Sequence, residues 1–208
     1  EAANRASWDL VVSVGTTSQF PYVAAPVLRQ VERGLPAIEI NPGDPVNYQA
    51  LGGMYRDQGR YDEAEAMYKK AVEVKPNDPA VYTALGGYYN TQGKFDEMMA
   101  ALEERTKYEP NNPEAYHYMA TFFQDKVQRD FRLSKPAQRA YALRGIAAED
   151  KAIALNPNYA EAMIYKNILL RQQANTEKDP AVQKQLINQA EELRAKGIAI
   201  QKKANSGK

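Results

Sequence analysis

The sequence predicts an all-α fold, a solenoid in which antiparallel helix pairs stack on one another. Three features predict it: residue types recur at a step of 34, apolar residues within each repeat have helical spacing, and a proline closes each repeat. A repeat of this length forms one helix pair, which cannot bury its apolar face alone and so stacks on its neighbours.

The first helix of each repeat is predicted from four recurring positions. An aromatic residue is followed by an aliphatic residue, a small residue and a second aromatic, at the spacing i, i+3, i+4, i+7 that places them on one helix face. In the three repeats these positions hold Tyr48, Leu51, Gly52 and Tyr55, then Tyr82, Leu85, Gly86 and Tyr89, then Tyr116, Met119, Ala120 and Phe123.

The second helix of the first regular repeat is predicted between a glycine and a proline. Gly59 favours the end of the first helix, and Asp62 and Glu63 suit the first turn of the second, because the helix dipole favours acids there. Pro76 ends that helix, and Pro79 suits the start of the next one. The apolar stripe of the second helix holds Ala64, Tyr68, Ala71 and Val74.

These positions resemble the signature of the tetratricopeptide-repeat (TPR) family over residues 45–125. In the repeat from Pro79 to Asn112, Met98 and Arg105 replace the usual small alanines, which indicates looser or shifted packing there. The resemblance implies a right-handed TPR-like solenoid that acts as a non-catalytic scaffold for a protein or peptide partner. The matching residues of the first regular repeat are Tyr48, Leu51, Gly52, Tyr55, Ala64, Tyr68, Ala71 and Pro76.

The last two helix pairs are predicted to be enlarged. Pro110 and Pro157 are 47 residues apart, 13 more than the regular step, and the extra residues fall between the paired helices as a hairpin tip over 126–139. The last pair is predicted to run helical from Ala160 to about Ala174, to turn, and to end in a long capping helix. Such enlarged pairs resemble those of exported bacterial TPR proteins, which favours a periplasmic or exported location slightly over a cytoplasmic one.

The chain is predicted to form a single solenoid domain whose N-terminal part is the least regular. Trp8, Val11, Val12 and Gly15 have the spacing of a first-helix stripe, with residues 27–40 as the partner helix, and the alternative is an extended segment laid along the solenoid. The predicted units are a degenerate first unit at 1–43, regular repeats at 44–78 and 79–112, an enlarged unit at 113–157, and a last unit with its capping helix at 158–208.

Composition argues against several other classes of protein. The 27 basic residues nearly balance the 26 acidic ones, so bulk charge gives no indication of nucleic-acid binding. No apolar run approaches the roughly 20 residues of a membrane helix, so no membrane insertion is expected. There is no cysteine, and His117 is the one histidine, so we expect no catalytic, cofactor or metal site. His117 itself is expected to face solvent, with a contact in the binding groove as the alternative.

A binding surface is predicted on the inner wall that the first helices of a TPR stack line. This wall is polar, small and nearly uncharged in its middle. Gln49, Gly53, Thr83 and Gly87 stand where the chaperone-binding TPR subclass has its carboxylate-gripping Lys and Asn, so a carboxylate clamp is not expected. The predicted partner-binding residues of the wall are Gln49, Gly53, Arg56, Thr83, Gly87, Asn90, His117, Thr121 and Gln124, with Asp57, Thr91, Ile164, Ile168 and Arg171 beside them.

The predicted hairpin tip is the second candidate surface. Residues 126–139 carry five cations and one carboxylate, a local charge of +4, and Arg129, Phe131 and Arg132 are candidate partner-binding residues. One interpretation is a solvated tip whose Phe131 and Leu133 fold back onto their own helices. The other is a docking knob, in which an aromatic amid cations anchors an acidic partner.

Two further functions stay open at this stage. The chain could be a non-catalytic domain that recruits the substrate of a larger exported enzyme or assembly factor. It could also be a self-associating module that forms a homo-oligomer through the end surfaces of the solenoid.

Overall fold

The computed structural model describes residues 11–14, 37–40 and 43–206. The chain divides into two compact units, Glu1–Tyr108 and Glu109–Lys208. In the described part, two strands of four residues each precede eight helices. The helices follow one another in pairs, which confirms the predicted all-α fold class. The helices are α1 (Pro45–Asp57), α2 (Tyr61–Val74), α3 (Pro79–Thr91), α4 (Phe95–Tyr108), α5 (Pro113–Arg129), α6 (Lys135–Leu155), α7 (Ala160–Ala174) and α8 (Pro180–Ser206).

The strands β1 (Val11–Val14) and β2 (Ala37–Ile40) pair in parallel, with Val11 opposite Ala37. The helical stripe predicted through Val11 and Val12 is therefore wrong at these residues, and so is the partner helix predicted to run to Ile40. Both segments are rich in β-branched valine and isoleucine, which favour strands over helices. The rest of the predicted first unit lies outside the described residues, so its nature stays a prediction.

Caps and prolines set the starts of α1 and α3 in the first unit. The Asp44 side chain accepts a hydrogen bond from the Val46 backbone N at 3.0 Å, and Asp78 accepts one from Ala80 N at 2.9 Å. Each cap is followed by a proline in the first helical turn, where the missing N–H is not needed. Gly59 has φ +75°, a conformation that favours glycine, and ends the turn after α1 as predicted.

The paired helices of the first unit approach closely at a glycine. A Cβ added at Gly52 of α1 would lie 3.0 Å from the Tyr68 ring of α2, and one added at Gly86 of α3 would lie 3.2 Å from Leu102 Cδ2 of α4. A larger residue at either position would fit only if the facing side chain, Tyr68 or Leu102, moved away. The signature positions therefore hold small residues because the helix–helix distance requires them.

The two pairs of the first unit stack through a shared apolar cluster. Tyr48, Leu51 and Ala71 from the first pair pack with Val81 and Tyr82 from the second. The rings of Tyr68 and Tyr88 also stack, with centroids 5.0 Å apart. Tyr88, which lies outside the TPR signature, is thus buried between the pairs, and its Oη donates a hydrogen bond to the Tyr61 backbone O at 2.7 Å.

The second unit contains the two enlarged pairs. The insertion lengthens α5 to 17 residues and α6 to 21, so the predicted tip at 126–139 is mostly helical and only residues 130–134 lie outside the helices. Helix α7 has the predicted bounds. Helix α8 packs Leu186 and Ala190 against Leu170 and Ala174 of α7, as expected of a capping helix. In the described part of the chain, no helix is long and apolar enough to span a bilayer.

Gly52→Ala and Gly53→Ala, neighbours in α1, are expected to change stability in opposite directions. Alanine is favoured over glycine by about 1 kcal/mol inside a helix, and a Cβ at Gly53 meets only Tyr68 Oη at 3.8 Å. Gly53→Ala should therefore raise the free energy of unfolding. Gly52→Ala should lower it, because overpacking costs about 1–3 kcal/mol and the Tyr68 ring is held by its stacking on Tyr88.

Urea denaturation followed by far-UV circular dichroism measures both changes. Each variant serves as the control for the other, since both make the same substitution one residue apart. A Gly52→Ala protein as stable as Gly53→Ala would contradict the helix–helix distance described above.

Candidate binding faces

The predicted wall residues of the first unit lie at equivalent positions of α1 and α3, two helices that contact each other. We call the surface formed by Gln49, Gly53, Arg56, Thr83, Gly87 and Asn90 the glycine face. Among the described residues, a Cβ added at Gly87 would meet no atom within 4 Å, and one added at Gly53 would meet only Tyr68 Oη. The middle of the glycine face is therefore bare helix backbone with open space above it.

Polar side chains border these glycines. Gln49 is half-buried and Asn90 is exposed, and each carries a side-chain amide with two N–H donors and an acceptor oxygen. Thr83 Oγ1 instead donates to the Pro79 backbone O at 3.1 Å, and Thr91 Oγ1 donates to Tyr88 O at 2.7 Å. The amides are thus the groups that the glycine face can offer to a ligand.

The glycine face carries almost no net charge. The guanidinium of Arg56 donates from Nε and Nη2 to Asp57 Oδ1, at 2.9 and 2.8 Å. This neighbour neutralises the one cation of the face, and the amides, threonines and glycines around it are uncharged. Such a surface suits an uncharged main chain better than a terminal carboxylate.

In the second unit, His117 of α5 is bound to a buried carboxylate. Its Nδ1 lies 2.9 Å from Oε1 of Glu149, a fully buried residue of α6. Tyr159 and Tyr165 meet the imidazole with their ring planes at steep angles, at centroid distances of 5.1 and 5.0 Å. The expectation that His117 faces solvent is therefore wrong, because Glu149 and the two tyrosines draw the ring inward.

Sequence reasoning missed the role of Glu149, although a signal for it exists. Glu149 precedes Pro157 by eight residues, the same interval that separates Tyr68 from Pro76 and Leu102 from Pro110. It therefore occupies a core position that holds a large apolar residue in both regular repeats. A carboxylate there needs a polar partner inside the protein, and His117 provides it.

The environment of Glu149 opposes its ionisation. Burial raises the pKa of its carboxyl from 4.5 to about 7, while the hydrogen bond and charge of His117 act in the opposite direction. Its Oε2 atom is buried with no hydrogen-bond partner in the described part. Asp150 and Lys166, which pair with each other nearby, contribute smaller and opposing effects. The Glu149 carboxyl can therefore keep its proton at higher pH than an exposed glutamate does.

The other predicted wall residues of the second unit also make internal contacts. Thr121 Oγ1 donates to the Tyr118 backbone O at 2.7 Å. Gln124 is buried, with its amide bonded to Gln128 and its backbone O accepting from Gln172 Nε2 at 3.3 Å. Ile164 and Ile168 are half-buried, and Arg171 Nε donates to Asn167 Oδ1 at 3.0 Å. These polar side chains are less available to a ligand than those of the glycine face.

The remaining predicted residues, Arg129, Phe131 and Arg132, lie at the α5–α6 turn. Phe131 is 91% exposed, so the interpretation that it folds back onto its own helices is wrong, whereas Leu133 is half-buried. Among the described residues, no cluster of three or more His, Cys, Asp or Glu side chains could hold a metal ion.

Comparison with protein families identifies the repeats. Residues 52–93 match a model described as TPR repeat, and residues 79–112 match one described as tetratricopeptide repeat. These matches confirm the resemblance that the signature positions indicate. No curated protein matches this sequence significantly.

Solved structures of similar fold include several of MamA. A crystal structure of MamA superposes with a TM-score of 0.56 at 16% identity, over 88% of this chain and 90% of that one. A double mutant titled MamA RS-1 gives 0.53 at 16% identity, over 88% and 94%. MamA 41-end from Desulfovibrio magneticus RS-1 gives 0.51 at 16% identity, over 86% and 93%. At this identity the likeness shows the fold alone.

Stability should depend on pH through Glu149. Because its pKa is raised in the folded protein, the folded state keeps a proton that the unfolded chain releases between pH 4.5 and about 7. The free energy of unfolding should therefore fall as pH rises through this window. Above it, the loss from this one group should be on the order of 3 kcal/mol.

Glu149→Gln tests this assignment, because the amide keeps the size of the side chain and cannot ionise. Urea denaturation at pH 5 to 8 should show a flatter dependence on pH in the variant, and greater stability than wild type at pH 8. Asp150→Asn, which changes the exposed neighbouring carboxylate, is the matched control. An unchanged pH dependence in Glu149→Gln would show that Glu149 is not the titrating group.

Proposed function

We propose that this chain, in which residues 52–93 and 79–112 match tetratricopeptide-repeat models, is a non-catalytic scaffold whose glycine face binds an extended peptide segment of a protein partner. The observation that carries the proposal is the space that the described residues leave open above Gly53 and Gly87. It lies on the helices that line the inner wall of a TPR stack.

The lack of side chains at Gly53 and Gly87 determines what can bind there. A ligand main chain can approach the helix backbone closely only where no Cβ intervenes. An extended peptide also presents N–H and C=O groups that need partners once water is excluded. The side-chain amides of Gln49 and Asn90 carry both donors and acceptors, so they suit the main chain of such a peptide.

The charge of the glycine face narrows the class of ligand. Its one cation, Arg56, is paired with Asp57 at 2.8 Å, so the glycine face has no excess positive charge to attract a ligand carboxylate. The proposed ligand is therefore an internal peptide segment without a required terminal carboxylate. Small or polar side chains would suit the uncharged amides and threonines around the glycines.

The side chains of the glycine face also favour binding over catalysis. They are two amides, one threonine, two glycines and an ion-paired arginine, and no nucleophile with an adjacent base stands among them. The same face would serve equally in a domain that recruits the substrate of a larger exported enzyme or assembly factor, because recruitment requires only the peptide site.

Gly53→Arg combined with Gly87→Arg should abolish peptide binding while leaving the fold intact. Arginine is a good helix former, and the space above both glycines is open. A peptide selected on the wild-type protein from a random library supplies the probe, and fluorescence anisotropy measures its affinity. We expect at least a tenfold loss, since the new side chains fill the site.

Two further variants isolate the cause of that loss. Ala66→Arg with Ala100→Arg adds the same charge at exposed positions of α2 and α4 that are also 34 residues apart, and it should change affinity less than twofold. Gly53→Gln with Gly87→Gln fills the site without charge and should weaken binding as the arginines do. Unchanged affinity in both folded glycine variants would place the site elsewhere.

A further inference from the structure

The α5–α6 connection is a tight turn fixed by one aspartate. The Leu133 backbone N donates to Asp130 O at 3.1 Å, which closes a four-residue turn, and Arg132 N donates to Asp130 Oδ1 at 3.3 Å. The other carboxylate oxygen of Asp130 accepts from Lys126 Nζ at 3.0 Å. Phe131 and Arg132 therefore occupy the two corner positions of an ordered turn.

The same turn is anchored to both of its helices. Asp130 N donates to Lys126 O at 3.1 Å at the end of α5. On the α6 side, Gln138 Nε2 donates to Leu133 O at 2.9 Å, and Ser134 caps the helix through the Ala137 backbone N. Leu133 is half-buried, whereas Phe131 is exposed. The protrusion of Phe131 is therefore a feature of the folded turn.

Phe131 is the most exposed large apolar side chain in the described part of the chain, at 91% against 62% for the next, Val46. An aromatic side chain removes about 150–250 Å² from water when a partner covers it. The hydrogen bonds of the turn order the backbone around Phe131, while its ring stays in water. The ring is therefore available to a partner.

Exposed cations surround Phe131. The side chains of Arg129 and Arg132 are 79% and 83% exposed, and each is paired with a neighbouring aspartate at 3.1 Å. Lys135 reaches the Asn175 backbone O at 3.3 Å, in the α7–α8 turn, without meeting a carboxylate there. Exposed ion pairs of this kind are weak, so the arginines can exchange their aspartates for anions of a partner.

We propose that the α5–α6 turn docks on an anionic lipid surface, with Phe131 entering the interface and Arg129, Arg132 and Lys135 contacting phosphate and carboxylate headgroups. This goes beyond the peptide-binding function and does not depend on it.

The shape of the turn favours a lipid surface over a protein partner. A stable protein interface buries about 800 Å² on each side, and a four-residue convex turn with one aromatic presents far less. A bilayer interface has no such minimum, accepts a protruding aromatic side chain, and attracts basic residues near the surface of an anionic leaflet. The expected association is weak, reversible and sensitive to salt.

Vesicle flotation with the full chain tests this proposal. At low salt, wild-type protein should float with vesicles of phosphatidylcholine that contain 30% phosphatidylserine. Its bound fraction should stay at background with vesicles of pure phosphatidylcholine. It should also stay at background at 0.5 M salt, where the Debye length is roughly 4 Å. Phe131→Ser, and separately Arg129→Ser with Arg132→Ser, should each lower the bound fraction at least fivefold. All three side chains are exposed, so circular dichroism should show an unchanged fold.

Matched controls separate this turn from a general effect of charge or apolarity. Val46→Ser removes the next most exposed apolar side chain, and Lys196→Ser with Lys202→Ser removes two exposed cations of α8. Neither control should change flotation. Equal losses in the controls, or no flotation of wild type with either vesicle, would overturn the proposal. The proposal would also be overturned if Phe131→Ser changed the affinity for the selected peptide and left flotation unchanged, because the turn would then be a protein contact.

Discussion

The close approach of the two helices within each pair is the constraint on which the rest of this structure depends. In the first unit, Gly52 lets Tyr68 of the next helix pack 3.0 Å from where a Cβ would stand, and Gly86 does the same for Leu102. This contact fixes which face of each first helix is buried. The next glycine in the chain, Gly53 or Gly87, therefore faces outward. Because it has no side chain, the helix backbone is accessible at that position. In each regular repeat, the first of two adjacent glycines thus belongs to the core and the second to the proposed peptide site.

In the second unit, the same core position has a different chemistry. Glu149 replaces the large apolar residue of the regular repeats, and the protein compensates with His117 at 2.9 Å and with edge contacts from two tyrosines. A buried carboxylate with one unpartnered oxygen destabilises the unit above neutral pH. It also draws into the interior a histidine whose equivalents in the regular repeats, Gln49 and Thr83, border the glycine face. The two units consequently present different surfaces from the same repeat.

The sequence predicted those parts of the structure in which spacing alone carries the information. Helix starts at Pro45 and Pro79, the end of a helix near Gly59 and the bounds of α7 all derive from repeat position and from residues with strong local preferences. The strands β1 and β2 were missed because apolar residues over only four positions fit a helical or a strand period equally well. The pairing of His117 with Glu149 and the exposure of Phe131 depend on contacts across helices and on hydrogen bonds to Asp130, which no repeat position encodes.

An NMR titration of the ¹⁵N-labelled protein with a peptide selected on it tests the central claim most directly, because glycine amides resonate apart from most others and the chain holds only 12 glycines. If the glycine face binds the peptide, the amide signals of Gly53 and Gly87 should shift most, while that of Gly145, which is buried in the second unit, should stay in place. Large shifts at Gly145 with Gly53 and Gly87 unmoved would contradict a peptide site on the glycine face.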